Sequence, residues 1–121
     1  MRINVESVLP EAHRYETCGD YFLDKDGTIQ VRVTCQKEWR YEFLIVLHEL
    51  IEAFCCLHRG IRWESIDEFD KTFNAAQIPG EPGDSPIAPY RREHRFAENI
   101  ERLVASEIGV DWATYDRDLK V

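Results

Sequence analysis

The stretch from Phe43 to Leu57 (Phe-Leu-Ile-Val-Leu-His-Glu-Leu-Ile-Glu-Ala-Phe-Cys-Cys-Leu) carries three ionisable side chains inside one of the most apolar segments of the chain. It contains no Gly or Pro and is rich in residues that fit a helix. A helix apolar on nearly every side is expected to be buried. Burying one unpaired carboxylate costs on the order of the whole stability of a small domain. His48, Glu49 and Glu52 therefore need a compensating partner, and a metal ion is the most economical one.

Size and charge narrow the class. A chain of 121 residues is read as one domain, 1–121, large enough to bury a core without disulfides. The net charge of −8 argues against a general phosphate-backbone binder, so nucleic acid is not an expected partner. Cys18, Cys35, Cys55 and Cys56 form no C-x-x-C pair, which removes a zinc-ribbon reading and leaves Cys55 and Cys56 as small core residues. The start, Met1-Arg2-Ile3-Asn4-Val5, lacks the apolar region of a signal peptide. His48, Glu49 and Glu52 interrupt the longest apolar run, so no membrane span is expected. The expected compartment is a reducing cytoplasm.

The pattern along the chain predicts an α+β fold. Residues Ile3 to Val8 alternate as a strand does. Tyr21-Phe22-Leu23, the turn dipeptide Asp26-Gly27 and Thr28 to Val33 read as a hairpin, so the first third is expected to be a small antiparallel sheet. A long helix follows from Lys37 to Arg59, stopped by Gly60. Ser65 is a candidate cap for a second helix with Ile66, Phe69 and Phe73 on its inner face. Residues Ile78 to Pro89, holding four of the five prolines, read as a surface loop. A third helix is predicted from about Pro89 to Ile108, with Phe96, Ile100, Leu103, Val104 and Ile108 at helical spacing. Asp111 is a candidate cap for a short last helix bearing Trp112 and Tyr115.

The chemistry follows from helical spacing. His48 and Glu52 are four residues apart, on one face, and can reach one ion together. Glu49 is the next residue, in the place that supplies the general base in H-E-x-x-H zinc hydrolases. Here the second ligand is a carboxylate, which moves the metal preference from zinc toward manganese or iron(II). A third ligand is needed. His94 at the start of the third helix is the first candidate, Asp70 on the second helix is the next, and Glu98 and Asp67 follow.

The hairpin and the His48-Glu49-x-x-Glu52 helix together resemble a minimal zincin-like metallopeptidase domain. The chain is also similar to a family of small uncharacterised proteins found in bacteriophage and bacterial genomes. The similarity runs through residues 26–33, Trp39 to Leu44, His48 to Ala53, Glu81 to Asp84, Ala88 to Tyr90, His94 to Ala97 and Glu107 to Trp112. The zincin resemblance implies His48 as a metal ligand, Glu49 as the catalytic base, Glu52 in the second ligand place, a divalent metal cofactor and a peptide as substrate.

Two other functions fit the residues. Glu49 and Glu52, facing Glu98 and Glu101, are similar to the magnesium-holding helix pairs of nucleotide pyrophosphohydrolases. A non-enzymatic acidic protein that binds a basic partner fits the charge, with the His48 cluster then a structural metal or polar site.

Overall fold

The computed structural model describes residues 1–119 and 121. Three strands, β1 (Ile3–Val8), β2 (Gly19–Leu23) and β3 (Ile29–Thr34), precede four helices. These are α1 (Trp39–His58), α2 (Trp63–Ala75), α3 (Arg91–Glu107) and α4 (Trp112–Asp118). The α+β class is as the sequence predicts. The sheet is not wholly antiparallel, however. Its order is β1-β3-β2, with β2 antiparallel to β3 and β1 parallel to it. The reason is connectivity. β1 takes the edge of β3 that the hairpin leaves free; Val8 and Gly19 both lie at the Thr34 end of β3, so the connection from Leu9 to Cys18 crosses that end of the sheet, and β1 runs opposite to β2 and therefore parallel to β3.

The hairpin turn is fixed by its own polar groups. Asp24 accepts from the backbone N–H of Asp26 and of Thr28, and Gly27 takes φ of +80°, which costs a glycine little. Tyr21, Ile29, Val31 and Val33 face inward onto α1, whereas Ile3 and Val5 of β1 stay exposed. Only part of the alternating pattern in β1 therefore reports a buried face.

Helix α1 is the axis of the molecule. It buries Tyr41, Leu44, Ile45, His48, Glu52, Ala53 and Cys56, while Trp39, Phe43 and Leu57 are exposed. So it is not enclosed on all sides: one stripe is buried, and that stripe contains the charges. The core falls into two apolar clusters. One joins Val31, Ala53, Cys56, Ile66 and Tyr90; the other joins Val33, Leu44, Ile45, Ala105 and Tyr115. His48 and Glu52 lie between them along α1.

Helix α2 starts at Trp63 rather than after Ser65, and Ser65 makes no cap. Ile66 and Phe73 are buried and Phe69 packs partly against the core, as their spacing predicts. Asp111 caps α4 by accepting from the N–H of Thr114 at 3.0 Å. The larger departure is in α3. Phe96 and Leu103, predicted on its apolar stripe, are 48% and 69% exposed. Its buried face is Glu93, His94, Ala97, Glu101 and Ala105. The two alanines let α3 pack closely on α1, and the polar residues of that face then point into the interior. Among the described residues, no helix is long and apolar enough to cross a membrane. The four cysteines are free.

Candidate metal centre

Three ligand atoms meet between α1 and α3. His48 Nε2 lies 3.1 Å from Glu52 Oε2 and 3.1 Å from His94 Nδ1, and His94 Nδ1 lies 3.0 Å from Glu52 Oε2. All three side chains are buried. Two come from successive turns of α1, as spacing requires. The third comes from the first turn of α3. The buried His48, Glu52 and His94 side chains could hold a metal ion. Two imidazoles and one carboxylate are the donor set of a class of catalytic zinc sites.

The supporting shell is equally ordered. Since a carboxylate only accepts, His48 Nδ1–H donates to Glu101 Oε1 at 2.8 Å. That bond turns the Nε2 lone pair of a neutral His48 toward the other two ligands. Glu101 Oε2 in turn accepts from the Tyr115 hydroxyl at 2.5 Å. Tyr21 donates to Glu52 Oε1 at 2.8 Å, which leaves Oε2 facing the two histidines. Carboxylate–histidine pairs of this kind orient ligands and raise their basicity. Accordingly, Glu101→Gln and Tyr115→Phe are expected to weaken divalent-ion binding about 10–100-fold, measured by competition with a chromophoric chelator, with little change in the far-UV circular dichroism.

Electrostatics in the metal-free chain point the same way. Burial pushes the Glu52 carboxyl upward, but bonds from His48 and His94 outweigh it and hold the group well below the usual carboxylate range. Burial disfavours charge on His94, yet the carboxylates of Glu52 and Glu81 raise it to about 10. Burial likewise opposes charge on His48, and Glu101 and Glu52 override it. Without an ion, the centre neutralises its carboxylates with protons on the histidines. A cation that enters must displace those protons, so its affinity falls as pH falls.

Glu49 points elsewhere, as its place on the helix demands. Its carboxylate lies under the backbone of β2, where a Cβ on Gly19 would come within 2.5 Å of Oε1. It borders the same cleft as the three ligands and, among the described residues, has no hydrogen-bond partner. Burial and the charge of Glu52 raise its pKa well above the ordinary carboxylate value.

Of the candidates for the third ligand, His94 is the one brought to the centre. Asp70 is not: the hydroxyls of Tyr90 and Tyr15 take up its two oxygens, the latter at 3.3 Å, on the wall of the cleft. Asp67 pairs with Arg14 at 2.9 Å and Glu98 with Arg102 at 3.4 Å. Sequence reasoning misses Glu101 as a histidine partner and places Tyr21 and Tyr115 in their elements without assigning either to the site. One signal points to the first: Glu101 lies seven residues after His94, two turns along the same face.

Gly83 is a further unforeseen participant. It sits in a 3-10 turn, Pro82–Asp84, within the loop before α3. A Cβ there would lie 2.4 Å from the His94 ring. Gly83→Ala is therefore expected to destabilise the fold by about 1–3 kcal/mol through overpacking, seen as a lower urea midpoint with an unchanged slope. Glu81, just before that turn, and Asp84, its last residue, bring oxygens to 3.2 and 3.3 Å from His94 Nε2.

No family model, curated protein or solved structure matches the chain.

Proposed function

We propose that the chain is a metal-dependent hydrolase of the peptidase type, with His48, Glu52 and His94 as metal ligands and Glu49 as general base. The observation that carries this reading is the convergence of three buried ligand atoms within 3.1 Å of one another, on an open cleft that Glu49 also borders. A third ligand that is histidine restores a two-nitrogen, one-oxygen set, which favours zinc over the harder ions that the Glu52 carboxylate alone would suggest.

A divalent ion held there supplies Lewis acidity toward a carbonyl oxygen and makes water a stronger acid. The protein's own groups do the rest. Glu101 and Tyr21 keep the inner atoms of His48 and Glu52 turned toward one point. Glu49 takes a proton from the attacking water and returns it to the leaving nitrogen. The packing of Glu49 under Gly19 keeps the carboxylate beside the centre without making it a ligand.

The pyrophosphohydrolase reading has less support. It needs free glutamates on facing helices, whereas Glu101 is engaged by His48 and Tyr115, and Glu98 by Arg102. A purely structural metal site would be closed by a fourth protein ligand; the three ligand residues instead line a cleft. The test is reconstitution. Apo protein loaded with zinc, manganese or iron(II) is incubated with a mixed peptide library and with nucleoside triphosphates plus magnesium. The reading expects new peptide termini, abolished by chelator and restored by zinc. Pyrophosphate release without peptide cleavage contradicts it.

A further inference from the structure

Strand β1 forms an unprotected edge of the sheet. Ile29 N–H donates to the Arg2 carbonyl and Cys35 N–H to the Val8 carbonyl, so even-numbered residues along β1 turn their backbone groups toward β3. Alternation along the strand then turns those of Ile3, Val5 and Ser7 outward, beyond the last strand in the order β1-β3-β2. Sheet edges are commonly blunted by proline, lysine, a bulge or a covering segment. β1 contains no proline or lysine, its register with β3 is unbroken, and five of its six residues are exposed.

The strand also presents apolar side chains on the side of the sheet that faces the core. Ile3 and Val5 are the register partners of Ile29 and Val31, and they share that face. Yet they are 40% and 46% exposed, against 8% and 0% for their partners, because α1 lies over β2 and β3 and leaves β1 uncovered. The first turns of α1 are close to one end of the strand, since the Ser7 hydroxyl donates to Glu42, and Trp39 and Phe43 of those turns are exposed.

The sequence of β1 is complementary to itself. With odd-numbered backbone groups pointing outward, an antiparallel partner strand of the same sequence must oppose odd residues to odd. Placing Asn4 opposite Asn4 of a second copy sets Ile3 opposite Val5 and Arg2 opposite Glu6, each pair occurring twice. Ile3 and Val5 then exchange backbone hydrogen bonds, and Arg2 and Glu6 form the closer, non-hydrogen-bonded pairs on the other face. Both charges have capacity to spare. Arg2 gives one N–H to the Asp26 carbonyl and has no carboxylate partner among the described residues, and Glu6 receives Arg32 on Oε1 alone. Centring the pair on Val5 instead would set Ile3 against Ser7 and Asn4 against Glu6, losing both the apolar and the charged pairs. Two-fold interfaces require self-complementarity of this kind.

We infer that β1 pairs antiparallel with β1 of a second copy of the chain, about a two-fold axis at Asn4, so that two three-stranded sheets become one. The cleft is lined from the β2 side of the sheet, by Gly19, Asp20 and Tyr21, and by no described residue of β1, so the pairing leaves it open.

Sedimentation equilibrium of the full chain tests this. The expected species has twice the chain mass of 14.2 kDa and dissociates on dilution. Val5→Lys, at an exposed position, is expected to weaken association at least about 10-fold, with an unchanged Tm for the dilute protein. Arg2→Glu and Glu6→Arg each set like charges opposite one another and should weaken it by about 10-fold as well. Mixed in equal amounts, those two variants supply the charges that each lacks, and the mixture should recover the dimer mass. Amide exchange at Ile3 and Val5 should slow as the concentration of the unsubstituted chain rises. A chain that stays at 14.2 kDa up to millimolar concentration overturns the inference and leaves the edge to an extended segment of another protein. A dimer that Val5→Lys leaves intact, or charge variants that associate no better mixed than apart, overturns it too.

Discussion

Glu49→Gln is expected to lower peptide turnover by about 10²–10⁴-fold, the usual contribution of a positioned general base, while leaving the bound metal unchanged. The substitution keeps the shape of the side chain and removes its capacity to accept a proton. Shape matters at this position, because Oε1 packs where a Cβ on Gly19 would come within 2.5 Å. A shorter residue would leave a gap under β2 and confuse loss of packing with loss of chemistry. The carboxylate touches none of the three ligand atoms through a hydrogen bond, so metal content measured by elemental analysis should match the unsubstituted chain. The kinetic signature is a fall in kcat with little change in KM, since the missing interaction belongs to the transition state. Full turnover in this variant would remove Glu49 from the reaction.

The second large effect concerns the ligands themselves. Glu52→Ala or His94→Ala is expected to weaken zinc binding by more than the roughly 100-fold that marks loss of a mere supporting partner. Thermal unfolding reads this directly. Zinc at about 100 times its Kd should stabilise the unsubstituted chain by about 2.7 kcal/mol, a rise in Tm of roughly 5–15 °C for a chain of this size. Neither variant should show that rise. pH gives an independent check on the same site. With His94 raised to about 10 and His48 also raised in the metal-free chain, the rings carry protons at neutral pH that zinc must expel. Zinc uptake should therefore release protons, and affinity should climb as pH rises. Calorimetry in two buffers of different ionisation enthalpy would show it. Uptake without proton release would mean that the ion binds away from the histidines.

Much of this arrangement is legible in the amino-acid sequence. The apolar run around His48 sets a long helix, and the four-residue spacing puts His48 and Glu52 on one face. The Asp26-Gly27 turn and the Asp111 cap are local signals, and local chemistry fixes both. The remainder is set by tertiary packing. Parallel pairing of β1 arises because it takes the free edge of β3 rather than that of β2, and strand alternation is the same in parallel and antiparallel pairs. The stripe of α3 is misread because Phe96 and Leu103 are among its most apolar residues, yet the close approach of α1 selects the face of Ala97 and Ala105. Burial of Glu101 follows from that choice, and so does its bond to His48. Asp70 has the right chemistry and a fair position on α2, but two tyrosines from other parts of the chain occupy it.

All of the proposed chemistry depends on one cation shared by His48, Glu52 and His94. Diffraction from a crystal grown with zinc, collected on both sides of the zinc absorption edge, measures that directly. The expected result is a single strong anomalous peak bonded to His48 Nε2, Glu52 Oε2 and His94 Nδ1, with at least one position left to solvent. Absence of a peak there, or a peak held by other side chains while these three keep their mutual hydrogen bonds, would contradict it.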